Sequence, residues 1–283
     1  MELLVLVLLL VLTGVAAGFV GSLSGLGGAV VVLPVLVVGF AVPFPYAAGA
    51  GFLAILATSS SSGAAYVRDR LSDLRIGMFL EIATVPGALL GATATVFLVH
   101  ADLDNALLIA LGAVLLALVP GTLARARLPP TDTAPPDRVG RAFGLRGSYE
   151  DPRRGRVVNG AADTPPALAV MFGAGVAAGM FGIGGGVFKV TALERYLRLP
   201  MKVATATSNF MIGVTAAAGA GVLLAAGYVN PVIGAPVALG TAAGAFVGSR
   251  LLPSLRNRTV RWIFLPVVVV LALEVILRGL GLP

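Results

Sequence analysis

The stretch Gly-Leu-Gly-Gly-Ala-Val at residues 25–30 returns 157 residues later as Gly-Ile-Gly-Gly-Gly-Val at residues 182–187. Each copy interrupts an apolar run. Gly-Ala-Leu-Leu-Gly at 87–91 has a counterpart at the same spacing, Gly-Ala-Phe-Val-Gly at 244–248. A third match, Gly-Val-Ala-Ala-Gly at 14–18 and again at 175–179, implies four extra residues before the first glycine cluster. Three matches in one order predict two related halves.

The composition indicates a membrane protein. Of 283 residues, 58% are hydrophobic and 12% charged, and the mean hydropathy is +0.98, whereas about a quarter of the residues in a soluble domain are charged. With no cysteine and one histidine, the chain offers no thiolate or histidine cluster for zinc, haem or iron–sulfur. We therefore expect no metal and no cofactor. The net charge of +7 bears on membrane orientation, and we expect no nucleic-acid partner.

Charges, prolines and glycine pairs divide the chain into ten apolar stretches, five on each side of a polar segment. They cover residues 3–21, 29–42, 46–67, 76–98, 105–124, 167–181, 186–199, 203–226, 231–252 and 259–278. The second, sixth and seventh have only about 14 or 15 residues, too few to cross a hydrocarbon core roughly 30 Å thick. We expect these three to be broken or re-entrant.

The predicted fold is an all-α, polytopic helical bundle of two inverted five-segment repeats with short, glycine-broken helices. The first repeat covers residues 1–124 and the second residues 167–283. Between them, residues 125–166 hold eight arginines, five acids and three Pro-Pro pairs. Such a composition is typical of a mobile, solvated linker.

The positive charges predict the orientation. An odd number of segments in each half makes the second half enter the membrane from the opposite side. If the amino terminus is external, 18 of the 20 basic residues fall on one side, while Arg278 lies outside and Lys189 within an apolar segment. By the positive-inside rule, we expect both termini outside and the linker in the cytoplasm. Full crossings and re-entrant hairpins both fit this pattern.

The glycine clusters are candidate anion sites. Helices that restart at Ala29 and Gly186 would present free amides and the positive end of the helix dipole to a bound anion. The candidate residues in the first half are Ser24, Gly25, Gly27 and Gly28, and those in the second half are Gly184, Gly185 and Gly186. The alternative is that these glycines only allow close helix packing.

Lys189 is the strongest single indication of a site. An ammonium inside a membrane costs about 2.5 to 3.5 kcal/mol on insertion scales and usually marks a pathway or a paired site. It follows Gly185 by four positions, so its charge would add to the helix dipole at the same anion. The alternative is a lysine whose charged end reaches a water interface.

Other polar residues in apolar segments extend the candidate site. Thr207, Ser208 and Asn209 can donate to an oxyanion, or can bond to backbone carbonyls and neighbouring helices. Glu81 and Glu194 are candidates for a coupled proton. The alternative for Glu81 is a side chain that reaches the cytoplasmic surface, and for Glu194 an ion pair at the interface.

The paired glycine motifs, at residues 25–29 with Pro34 and at residues 182–186, within a duplicated five-segment frame, resemble the sulfite exporter TauE/SafE family. The resemblance covers nearly the whole chain except the linker. Thr191 stands where Pro34 predicts a proline. The resemblance implies a membrane permease for small sulfur-containing anions such as sulfite or organosulfonates.

We therefore expect a secondary transporter, rather than an enzyme, that works by alternating access in a prokaryotic cytoplasmic membrane. Its expected partners are a small anion and the lipid bilayer. A passive anion channel and a non-transporting membrane scaffold are the alternatives. An intramembrane serine protease is disfavoured, because the one histidine, His100, lies far along the chain from Ser22 and Ser24. The oligomeric state, the coupling ion and the direction of transport stay open.

Overall fold

A computed structural model of the chain describes residues 2–124, 135–151, 155–252 and 257–281. Helices account for most of these residues, and one short β-hairpin lies in the middle of the chain. In chain order the elements are α1 (Glu2–Ser24), α2 (Ala29–Gly39), α3 (Phe44–Thr58), a π-helical turn (Ser59–Gly63), α4 (Ala64–Arg68), α5 (Leu74–His100), α6 (Asp104–Ala124), α7 (Arg138–Ala142), β1 (Arg146–Asp151), β2 (Gly155–Gly160), α8 (Thr164–Phe181), α9 (Gly186–Arg195), α10 (Met201–Ala225), α11 (Pro231–Leu251) and α12 (Asn257–Gly279).

Each of the ten predicted apolar stretches contains a helix. Both restarts lie where they were predicted, because α2 begins at Ala29 and α9 at Gly186. The prediction that the sixth stretch is short is wrong, because α8 begins at Thr164 and its first turn contains Pro165 and Pro166. Proline fits there because the first helical amides have no partner within the helix.

The structure contains six helices that are long and apolar enough to cross a membrane, among the residues it describes. They are Leu3–Ser24, Phe44–Arg68, Leu74–His100, Thr164–Phe181, Met201–Ala225 and Pro231–Leu251. The helices after the glycine clusters are much shorter, 11 residues in α2 and 10 in α9. Large apolar side chains such as Ile82, Phe97 and Leu239 are mostly exposed, as expected of a surface that faces lipid.

Long helices pair across the two halves rather than within them. Helix α1 packs along α11, and α8 packs along α5. A β-carbon at Gly18 would overlap the carbonyl oxygen of Thr241, and one at Gly175 would overlap that of Thr84. These backbones approach closely because glycine has no side chain.

Equivalent helices lie a constant distance apart in the sequence. Helices α2 and α9, α3 and α10, and α5 and α11 each begin 157 residues apart, and α1 and α8 end 157 residues apart. The predicted four-residue insertion before the first glycine cluster is therefore wrong. Gly18 corresponds to Gly175, so the identical pentapeptides are out of register by one helical turn.

Helices α3 and α10 pack side by side in opposite directions. Close to the end of α3, Gly63 lies against Asn209 and Phe210, whereas Phe52, earlier in α3, lies against Gly219. Two helices at equivalent positions in the two halves thus run antiparallel. The π turn at Ser59–Gly63 lies in this contact, since Ser59 Oγ lies against Gly213.

Part of the predicted solvated linker is folded, contrary to expectation. Strands β1 and β2 form an antiparallel hairpin, with Arg146 opposite Gly160. Asp137 caps α7 by accepting from the amide of Gly140, and it also accepts from the amide of Thr164 at 2.8 Å. Leu145 is buried and joins a cluster that includes Ile76 on α5. Residues 125–134 and 152–154 lie outside the described residues.

The contact between α8 and α5, which joins the two halves, can be tested at Gly179. A β-carbon there would overlap the carbonyl oxygen of Ala88, whereas one at Gly173 on the same helix meets nothing within 4 Å. We expect Gly179→Ala to cost about 2 kcal/mol or more by separating α8 from α5. We expect Gly173→Ala to be neutral or slightly stabilising, because alanine favours helix by about 1 kcal/mol. Thermal unfolding of the two purified variants in detergent checks this, and equal melting temperatures would contradict the contact.

Candidate functional site

Both glycine clusters are turns that end one helix and start another. In the first, Gly25 and Gly27 have positive φ angles, and in the second, Gly182, Gly184 and Gly185 do. These left-handed conformations are readily available to glycine and costly for other residues. All the predicted glycines, 25, 27, 28, 184, 185 and 186, are buried.

The two turns touch at the centre of the molecule. A β-carbon at Gly186 would overlap the carbonyl oxygen of Gly25 and lie 2.5 Å from Leu26 Cα. A β-carbon at Gly27 would lie 3.0 Å from Ile212, and one at Gly184 would lie 3.2 Å from Ile55. The structure therefore brings the two predicted anion-binding turns together, with α3 and α10 packed against both.

Three predicted oxyanion donors on α10 bond to backbone in this conformation. Ser208 Oγ donates to the carbonyl of Gly25 at 2.8 Å, and Asn209 Nδ2 donates to that of Ser22 at 2.9 Å. Thr207 Oγ1 accepts from the amide of Asp73 at 2.9 Å. In the first half, Ser24 Oγ donates to the carbonyl of Val20 at 2.9 Å, within α1. These side chains hold the end of α1 and the start of α5.

Lys189 lies fully buried beside the second turn and forms an ion pair with the first half. Its Nζ lies 2.9 Å from Oε1 of Glu81 on α5, and it also donates to Oγ1 of Thr215 on α10. Thr215 Oγ1 lies 2.8 Å from the second oxygen of Glu81, Oε2. Lysine, glutamate and threonine thus form a closed cluster, in which Lys189 and Thr215 are 0% exposed and Glu81 is 4% exposed.

This burial contradicts the alternative in which Lys189 and Glu81 reach water. Two buried charges that pair gain little net stability, because each loses its hydration. The sequence identified Lys189 and Glu81 separately but missed their pairing and missed Thr215 altogether. The sequence did contain a signal for this pairing, because opposite charges in apolar segments favour each other as partners.

The other acidic candidate lies elsewhere on α9. Glu194 belongs to the last turn of that helix and is 8% exposed, and the carboxylate that contacts Lys189 is that of Glu81. His100 is exposed at the end of α5, and its ring lies 6.5 Å from that of Tyr228. The structure thus places Glu81, but not His100, in the buried centre.

Asp73, between the spans that end at Arg68 and begin at Leu74, caps α5. Its Oδ1 accepts from the amide of Ile76 at 3.1 Å, while its buried Oδ2 has no hydrogen-bond partner. Burial raises the pKa of Asp73 to about 6, although hydrogen bonds from the amides of Ile76 and Arg75 and the charge of Arg75 act in the opposite direction. The ionised carboxylate is therefore less stable here than in water.

Comparison with known proteins places this architecture among transporters. A family model described as "Sulfite exporter TauE/SafE" matches residues 10–275. A probable membrane transporter of Bacillus subtilis, YunE, is 26% identical over 279 residues, which cover 96% of this chain and 98% of that protein. A second from the same organism, YdhB, is 27% identical over 251 residues, covering 87% of this chain and 88% of that protein. No solved structure matches the chain.

Asp73 predicts a pH-dependent stability. Its pKa is about 6 in the folded protein and about 3.9 when unfolded. Its stabilising effect is thus complete below pH 4 and disappears as the pH rises through 6, a change on the order of 3 kcal/mol. Asp73→Asn keeps the cap and removes the charge, so we expect its stability relative to the unmodified protein to increase between pH 5 and 7.5.

Thermal unfolding in detergent at the two pH values measures this effect. Asp69→Asn is the control, because its side chain is 45% exposed and pairs with Arg68 at the surface. If the two variants showed the same pH dependence, the buried carboxyl of Asp73 would not be the cause.

Proposed function

Because this chain belongs to the sulfite exporter TauE/SafE family of membrane transporters, we propose that it is a secondary transporter for a small sulfur-containing anion. The substrate class is sulfite or an organosulfonate, and transport proceeds by alternating access. The observation that carries the proposal is the fully buried Lys189, one turn into a helix that starts at a glycine turn. A buried cation beside a helix amino terminus favours an anion over any other small solute.

In this proposal the anion binds between the two glycine turns. The backbone at Gly25, Gly27 and Gly28 faces that at Gly184, Gly185 and Gly186, and Lys189 supplies the positive charge. Ser24, Ser208 and Asn209 shape the site by holding the end of α1 and the first turn, and Thr207 by holding the start of α5. A sulfonate or sulfite has several oxygens that accept hydrogen bonds, so amides and an ammonium can share it.

Alternating access follows from an inverted repeat in which one half moves against the other. The constant 157-residue spacing of equivalent helices and the antiparallel packing of α3 and α10 support this arrangement. In the proposed movement, the ion pair between Glu81 and Lys189 separates, because the two residues belong to different halves. In this proposal the chain has the orientation that its basic residues predict, with both termini outside and residues 125–166 in the cytoplasm.

Lys189→Met tests the site. We expect the variant to lose at least about tenfold in methanesulfonate or sulfite counterflow in reconstituted vesicles, since the cation that attracts the anion is gone. Lys202→Met is the matched control, because Lys202 is the second of the two lysines in the chain and lies half-buried at the start of α10. We expect its counterflow to stay within about twofold of the unmodified protein.

A double variant separates loss of binding from loss of folding. Lys189→Met alone leaves Glu81 buried without its ion-pair partner, which costs about 3–5 kcal/mol. Lys189→Met with Glu81→Gln removes both charges and should fold, yet transport no anion. Normal counterflow by the folded double variant would remove Lys189 from the site. Flux without counterflow in the unmodified protein would indicate a channel, and no flux at all would indicate a scaffold.

A further inference from the structure

We infer that Glu81 carries a proton with the anion, so that the protein is a proton–anion symporter with one proton for each anion. This inference rests on the proposed function. In the structure, the Glu81 carboxylate pairs with the ammonium of Lys189. The anion requires this same ammonium. The anion therefore takes the place of the Glu81 carboxylate at Lys189, and Glu81 binds a proton as it leaves.

The geometry of the cluster makes the two ligands competitive. The Glu81 carboxylate has one oxygen 2.9 Å from Lys189 Nζ and the other 2.8 Å from Thr215 Oγ1. Lys189 is fully buried and its Nζ already contacts both Glu81 and Thr215, so in this inference the anion that reaches the ammonium takes the place of Oε1. A protonated Glu81 can then donate its O–H to Thr215 Oγ1, because a hydroxyl oxygen also accepts hydrogen bonds.

The net charge of the buried cluster favours the binding of a proton together with the anion. Lys189 and Glu81 together are neutral, so a monovalent anion added to them leaves a buried net charge of −1. Two like charges about 4 Å apart at an effective dielectric constant of about 20 weaken binding about a thousandfold. Protonation of Glu81 removes this repulsion and restores neutrality. Anion and proton therefore favour each other's binding.

Among the residues that the structure describes, Lys189 is the charged group that pairs with the Glu81 carboxylate. Helix α8, which packs along α5, has no charged residue between Thr164 and Phe181. The other charged residues on α5, at its cap, and on the elements that contact α5 or Glu81 lie at the ends of helices or in the hairpin: Asp73, Arg75, Asp104, Arg146, Glu150, Asp151, Glu194, Arg195 and Lys202. Within the part of the chain that the structure describes, the ion pair of Glu81 is made with Lys189.

The stoichiometry follows from a difference between the halves. The positions 157 residues from Glu81, Lys189 and Thr215 are Ala238, Val32 and Thr58. Thr58 donates to the carbonyl of Ala54, as a helical threonine commonly does. The equivalent place in the repeat thus lacks both the lysine and the carboxylate, so one anion and one proton bind in each cycle.

The test uses the full chain in sealed vesicles with methanesulfonate, which stays monovalent over the whole working range of pH. One proton and one monovalent anion carry no net charge. We therefore expect each unit of pH difference, acidic outside, to sustain about a tenfold accumulation inside. A pH dye should report acidification of the lumen during uptake. A potassium diffusion potential should leave the initial rate unchanged.

The variant Glu81→Gln tests whether Glu81 is the residue that carries the proton. Glutamine resembles the protonated carboxyl but cannot release a proton, so we expect accumulation under a pH difference to disappear and the counterflow that the variant retains to become independent of pH. Glu274→Gln is the matched control, because Glu274 is a carboxylate in an apolar helix but is exposed on α12. We expect this control to accumulate methanesulfonate as the unmodified protein does.

Each result decides a separate point. If the unmodified protein shows methanesulfonate counterflow but no response to the pH difference, proton symport is wrong and the proposed function stands. If it moves neither methanesulfonate nor sulfite, the proposed function itself fails. Proton-driven accumulation by Glu81→Gln would overturn the role of Glu81. If that variant does not fold, the accumulation, dye and potential measurements on the unmodified protein decide whether proton symport is correct.

Discussion

A helix that breaks inside a membrane exposes backbone amides and carbonyls where there is no water to bond them. The rest of this structure depends on how that cost is met. The carbonyl of Gly25 is bonded by Ser208, and that of Ser22 by Asn209 and by Tyr66. Ser208 and Asn209 come from the other half of the chain. The first turn is thus stable only while the second half is in place. The local backbone geometry of this turn therefore depends on how the two halves pack together.

The same constraint explains why the candidate site is asymmetric. Ser208 corresponds to Gly51 and Asn209 to Phe52, so the two turns are held by different means. Gly51 has no side chain and lies directly against the carbonyl of Gly182. Polar side chains hold one turn and close backbone packing holds the other. Equivalent positions in the two halves therefore differ in chemistry, and the ion pair between Lys189 and Glu81, whose equivalent positions are Val32 and Ala238, shows the same difference.

Local sequence signals predicted where helices begin and end, but they could not predict contacts between residues far apart in the chain. Glycine clusters and prolines mark helix ends by their own backbone preferences, so the starts at Ala29 and Gly186 were predicted correctly. Lys189 was identified because a charge in an apolar run is costly. Its partner lies 108 residues away, and no local preference encodes that distance. The alignment of residues 14–18 with residues 175–179 was misleading, because small residues can replace one another along a packed helix face. Identical short sequences can therefore occur at positions that are not structurally equivalent.

The pairing of helices between the halves also constrains how the chain is made. Helix α1 packs along α11, which begins at Pro231. During synthesis, more than 200 residues must follow α1 before its partner exists. Until then its glycine-lined face, including Gly14 and Gly18, must lie against lipid or against the insertion machinery. Helix α1 can therefore take its final place only after α11 has emerged from the ribosome.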